Sequence, residues 1–105
     1  MEQITPQELK TRLDRRDPLV LLDVRQGWEL RLCRLPGATH IPIEEMELRT
    51  EELSPEDEII VLCHQGIRSA AVAEYLRQLG FQKVVNLAGG LDAWSRTVDP
   101  TLPRY

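Results

Sequence analysis

The sequence predicts an open α/β sheet, and three observations carry that prediction. Short apolar runs recur along the chain, "LVLLDV", "EIIVLC" and "KVVNL". Stretches with helical spacing separate them, which implies parallel strands joined by right-handed crossovers and covered on both sides. Finally, Asp23-Val24-Arg25 and the segment after Cys63 both follow directly on such runs. Ligands in open α/β sheets bind outside the carboxyl ends of the strands.

The elements follow in order. Thr5-Pro6-Gln7-Glu8 predicts a helix start, with Thr5 as N-cap, Pro6 at the first helical position and Glu8 completing a capping box. This helix is expected to run to about Arg16, before Asp17-Pro18. After "LVLLDV", the stretch "GWELRLCRL" predicts a short helix ended by Pro36-Gly37, and "ATHI" a brief strand closed by Pro42. "EEMELRTEEL" reads as one helix with acidic residues in its first turn, where the helix dipole favours them, and Met46 as an ordinary residue on its face. After "EIIVLC", a helix is expected to place Val72, Leu76 and Leu79 on one stripe with Ala73 beside them, capped by Gly80. "KVVNL" is the next strand, and "GGLDAWSR" opens a last short helix.

At 105 residues the chain suits one domain, with a core expected over about residues 4–96 and a tail over 97–105. The prolines of "TVDPTLPRY" exclude a regular helix there and leave its packing open. A net charge of −4 argues against binding to a phosphate backbone, which rests on clustered Lys and Arg. Arg12, Arg15 and Arg16 are interrupted by Asp14 and Asp17 and read as a solvated helix face. "MEQITPQELK" lacks the basic-then-apolar pattern of a signal peptide, and no run is long enough for a membrane span. Two cysteines without C-x-x-C spacing are expected to be free thiols, and the expected compartment is the cytoplasm.

The segment Cys63-His64-Gln65-Gly66-Ile67-Arg68-Ser69 carries the chemistry. A helix starting near Arg68 or Ser69 presents its first N–H groups, and the positive end of its dipole, toward the preceding loop. Gly66 permits positive φ, so that successive N–H groups converge into a cradle. Arg68 adds a permanent cation with a planar fork of donors, and His64 a further donor. A thiolate at Cys63 would be stabilised there. The same donors would hold a small oxyanion against the sulfur. The bland alternative is a packed core thiol at a strand end.

"CHQGIRSAAVAEYLRQLGF", with "LLDVR", "WE" and "LPGATHIP" before it and "NLAGGLDAW" after it, resembles the single-domain rhodanese-like proteins from about Ile4 to Trp94. The resemblance implies a largely parallel five-stranded sheet with helices on both faces. It also implies a thiosulfate-type sulfurtransferase in which Cys63 is the nucleophile and carries a persulfide. His64, Gln65, Gly66, Ile67, Arg68 and Ser69 would bind the donor, with no metal or organic cofactor. The partners implied are a small anionic sulfur donor and a thiol or cyanide acceptor, or a sulfur-accepting protein. Four residues separate Cys63 from Arg68. Tyrosine-phosphatase-type loops are one residue longer, so the smaller cradle favours sulfur carried on the cysteine over phosphate or arsenate chemistry. The family's Gly-His before the Ile-Pro-Gly-Ala turn is replaced here by Cys33-Arg34, followed by Leu35.

Other residues are read more plainly. Asp23 is expected to brace the loop, and Arg25 either to help attract the donor or to pair with Asp23. Glu29, four residues on, is a candidate structural partner for Arg25. His40 reads as structural, and Cys33 as a structural thiol at the sheet edge opposite the Cys63 loop. Trp28 and Trp94 read as core or lid residues. Gly89-Gly90 read as a tight turn able to approach the Cys63 loop.

Overall fold

The computed structural model describes residues 2–105. Five strands, β1 (Gln3–Ile4), β2 (Val20–Asp23), β3 (Thr39–His40), β4 (Glu58–Leu62) and β5 (Lys83–Leu87), form one sheet in the order β1-β5-β4-β2-β3. Every pairing is parallel. The five helices are α1 (Pro6–Asp14), α2 (Gly27–Leu32), α3 (Met46–Arg49), α4 (Ile67–Gln78) and α5 (Gly90–Thr97). β4 is central. Its register sets Leu62 beside Asp23 of β2 and Val61 beside Asn86 of β5, so three strand ends converge beneath one loop.

Alternation along β4 divides the core in two. Ile59, Val61 and Cys63 face a cluster completed by Met46, Leu53, Val72, Ala73, Leu76 and Phe81. Ile60 and Leu62 face the other, with Leu9, Cys33, Leu35, Leu91 and Trp94. Both faces are therefore covered, as buried parallel strands require.

Helix α1 begins as its sequence dictates. The Thr5 hydroxyl accepts from the Glu8 amide, and the Glu8 carboxylate accepts from the Thr5 amide. It ends two residues before Arg16, which takes a positive φ of 58°. β1 was not anticipated, because two residues are too few to show a period. The single helix expected over "EEMELRTEEL" is instead 3-10 turns at Ile43–Glu45 and Thr50–Glu52 flanking the four-residue α3. The Thr50 hydroxyl donates to the Met46 carbonyl at 2.6 Å, a back-bond that bends helices. Met46 itself is core. Leu79 leaves the expected stripe and is half exposed. Gly80 turns the chain at φ 99°, and Phe81 fills the core in its place, its amide returning to the Leu76 carbonyl. Trp94 is buried, whereas Trp28 stands on the surface, so the core reading fails for Trp28.

The segment after α5 packs against the body. The amides of Val98 and Asp99 both donate to the Trp94 carbonyl, Leu102 packs on the second core cluster, and Arg104 pairs with Asp92 at 2.9 Å. Among the described residues, no helix is long and apolar enough to cross a membrane.

Candidate active site

Cys63 stands at the carboxyl end of β4 and is 1% exposed. Its Sγ accepts from the Gly66 amide at 3.1 Å and the Ser69 amide at 3.4 Å, and lies 3.2 Å from the Ser69 hydroxyl. The helix-start cradle is thus built around the sulfur itself. Gly66 makes it possible by taking φ 95°, where a side chain is strained and its Cβ would come within 3.3 Å of the Gly89 amide.

Ser69 is buried and its single proton has two claimants. Its hydroxyl donates to Asn86 Oδ1 at 2.5 Å, while Asn86 Nδ2 donates to the Gly66 carbonyl at 3.1 Å and so fixes the amide's orientation. With the proton on Asn86, Ser69 accepts from a protonated Cys63. When the thiol loses its proton, the hydroxyl can rotate and donate to the sulfur. Asn86 was not anticipated as part of the site, although a polar residue inside the buried "KVVNL" strand is a readable sign.

The loop is held from below by α5. The amides of Leu91 and Asp92 donate to the carbonyls of Cys63 and His64, each at 2.9 Å. Such an approach needs glycine at position 90: a Cβ there would lie 2.5 Å from both carbonyl oxygens, and φ is 61°. The expected approach of Gly89-Gly90 to the loop is therefore a direct backbone dock.

Cys63, His64, Gln65, Ile67 and Arg68 line a cavity of about 100 Å3 above the sulfur. Arg68 does not extend freely into it. Both its Nη atoms bind the Glu29 carboxylate, at 2.7 and 2.8 Å. Arg68, then burial opposing it, set the Glu29 carboxyl, which together with the Gln26 amide and Tyr105 hydroxyl is drawn down to about 2. Glu29 is therefore the partner of Arg68, not of Arg25, whose only link to it is a 3.4 Å bond to its carbonyl.

Arg25 lies apart from the cavity, and its expected role toward the donor does not survive. It is wholly buried, forked onto Asp23 at 2.8–3.2 Å, and donates to the Cys33 carbonyl at 2.8 Å and the Tyr105 hydroxyl at 3.0 Å. No donor remains to meet a substrate. Asp23 is its brace, and His40 Nε2 meets the Arg25 carbonyl at 2.6 Å. Cys33 is buried near the Arg25 guanidinium and in the core cluster that holds Ile60 and Leu62 of the central strand β4, so it is not at the sheet edge opposite the Cys63 loop.

Tyr105 is the residue no local pattern revealed. Its ring stacks on His64 with centroids 3.9 Å apart and planes at 11°, and meets Trp28 edge-on at 6.3 Å. Its hydroxyl donates to Glu29 Oε1 at 2.9 Å.

A parallel α/β sheet whose central strand delivers a cysteine to two loop amides and a serine hydroxyl defines a class, and the comparisons with known proteins agree. The chain belongs to the rhodanese-like domain family, matching it over residues 5–97. It is 38% identical over 93 residues to YrkF of Bacillus subtilis, provisionally named a sulfur carrier protein, covering 89% of this chain and 50% of that one. It is 30% identical over 96 residues to a sulfurtransferase of Allochromatium vinosum, covering 91% of this chain and 90% of that one. The crystal structure of SSP1007 from Staphylococcus saprophyticus superposes with a TM-score of 0.86 at 33% identity, covering 99% of this chain and 100% of that one. The chain thus spans about half the length of YrkF and nearly all of the sulfurtransferase.

Proposed function

We propose that this chain is a sulfurtransferase that moves a sulfane sulfur from a donor such as thiosulfate to a thiophilic acceptor through a persulfide on Cys63. The observation that carries the reading is the convergence of the Gly66 and Ser69 amides and the Ser69 hydroxyl on Sγ, beneath a cavity sized for a small anion. In the first step the Cys63 thiolate attacks the outer sulfur of thiosulfate. A new S–S bond forms, the old one breaks, and sulfite leaves with its electron pair. In the second, cyanide or a thiolate attacks the outer sulfur of the persulfide, and the pair returns to Cys63. Covalent catalysis of this kind splits one transfer into two easier ones. The loop amides stabilise the negative sulfur in each resting state, as preorganised donors do. The free thiols at Cys33 and Cys63 suit a reducing compartment, which we take to be the cytoplasm.

A second reading keeps the persulfide and drops the turnover: a relay module that hands sulfur to a protein. Exposed Trp28 and Ile67 beside so buried a thiol favour it, since apolar residues at the rim suit a docked protein. Thiosulfate should add one sulfur atom to the peptide containing Cys63, as read by mass spectrometry. An unmodified Cys63, or sulfur on Cys33 alone, refutes both readings. Steady thiosulfate:cyanide turnover lost in Cys63→Ser selects the enzyme, and loading without turnover selects the relay. Hydrolysis of an aryl phosphate or reduction of arsenate, lost in Cys63→Ser, would replace both.

A further inference from the structure

One side chain outside the loop touches the supports of two walls of the thiol cavity. His64 and Arg68 both line that cavity. The Tyr105 ring lies flat on His64, and its hydroxyl donates to the carboxylate that holds Arg68. The same hydroxyl accepts from the buried Arg25 guanidinium, so Tyr105 is seated at both ends. Burial, opposed by Arg25 and aided by the Glu29 carboxylate, pushes its hydroxyl up to about 12, so it remains a proton donor throughout the neutral range. The segment that delivers it is tied down by Leu102 packed against the second core cluster and by Arg104 on Asp92. Asp92 is the residue whose amide holds the His64 carbonyl, so the strap and the loop share one anchor.

We infer that Tyr105 is a positioning residue that sets the size selectivity of the Cys63 site, with residues 98–105 acting as a strap that keeps His64 and Arg68 in place. The inference deepens the sulfur-transfer reading and rests on Cys63 as its reactive thiol. With the strap seated, the cavity measures about 100 Å3, a volume that favours a small anion over a bulky reagent. With Tyr105 gone, the His64 ring loses the surface it lies on and Glu29 loses one of its donors, so the opening widens. A bulky acceptor then reaches a sulfur that is otherwise 1% exposed at its residue.

The test reads access directly and needs no sulfur transfer. Cys63 alkylation is followed by peptide mass spectrometry with iodoacetamide and with a fluorescein-bearing iodoacetamide, well below the melting transition. Tyr105→Phe removes the hydroxyl and keeps the ring. It should raise the bulky-to-small rate ratio about threefold, the effect of a net hydrogen bond. Tyr105→Ala removes the stack as well and should raise the ratio about tenfold. The small reagent alone should change less than the ratio does. Thiosulfate KM should rise in the same order, with kcat moving less. Ratios equal to wild type in both variants overturn the inference, and should Tyr105→Ala fail to fold, Tyr105→Phe decides alone. If wild-type protein takes no sulfur from thiosulfate, the transfer reading fails while the alkylation ratio still judges the strap.

Discussion

Arg68 grips Glu29 with both arms of its guanidinium, across 39 positions of chain. The cation beside the thiol cavity is neutralised where it stands, so the pull on a donor anion comes chiefly from the loop amides. Substituting Glu29→Gln should return that charge to the cavity, while the Gln amide oxygen still accepts from Arg68 and keeps it in place. Thiosulfate KM should fall about threefold to tenfold, while urea unfolding should show a loss of about 1–3 kcal/mol from the weakened cluster. A KM that rises instead would mean that Glu29 serves mainly to aim Arg68.

The same pair predicts an acid limb of stability. Glu29 sits at about 2 in the fold against an ordinary 4.5, with Arg68 the leading cause. A carboxyl lowered on folding contributes stability that is fully present above 4.5. That contribution drains away as pH falls from 4.5 through about 2. Its size is on the order of 3 kcal/mol. Chemical denaturation between neutral pH and pH 2 should show this loss in the wild type and a flatter limb in Glu29→Gln.

Arg25 and Asp23 form a wholly buried ion pair. Removing one charge strands the other, at a cost of about 3–5 kcal/mol. Asp23→Asn should therefore lower the urea midpoint sharply, although Asp23 does not line the cavity. A loss below about 1 kcal/mol would show that the Tyr105 and backbone acceptors alone suffice to hold Arg25.

Ser69 and Asn86 should act on the thiol with opposite signs. Asn86→Ala releases the Ser69 proton from Oδ1 and lets it turn to the sulfur, so Cys63 alkylation at neutral pH should quicken about threefold. The Gly66 carbonyl keeps the Ala70 amide but loses Asn86 Nδ2, which should cost about 1 kcal/mol of stability. Ser69→Ala removes the hydroxyl, and alkylation should slow by a similar factor. Rate changes of the same sign in both variants would contradict the proposed competition for one proton.

The dock of α5 beneath the loop makes Gly90 intolerant. Gly90→Ala drives a Cβ into the Cys63 and His64 carbonyls in a left-handed conformation, so stability should fall by about 2 kcal/mol or more. Sulfur loading should fall at least tenfold, since misplacement of a reacting group by about 1 Å costs as much. Gly27→Ala, with open space around its Cβ, is the control and should shift stability by less than about 1 kcal/mol.

What could be read in the sequence was local or periodic. The Thr5–Glu8 box, the strands "EIIVLC" and "KVVNL" and the loop from Cys63 to Ser69 each declare themselves within a few residues. What escaped depended on distance or on tertiary packing. Arg68 finds Glu29 through the meeting of α4 and α2, and spacing made Arg25 look the nearer partner. Tyr105 arrives from 76 positions beyond Glu29. The helix expected over 44–53 gives way to 3-10 turns on either side of α3, where the Thr50 hydroxyl bonds back to the Met46 carbonyl, a local competition that acidic periodicity does not display.

The division of the core by the sheet has a redox consequence. Cys63 belongs to the cluster on one face and Cys33 to the cluster on the other, with β4 and β2 between them. The two thiols are thus packed in separate apolar clusters, each free, rather than side by side. An oxidised Cys63 is therefore not packed against the chain's other cysteine, and a thiol brought in from outside the fold is the natural agent of its rescue.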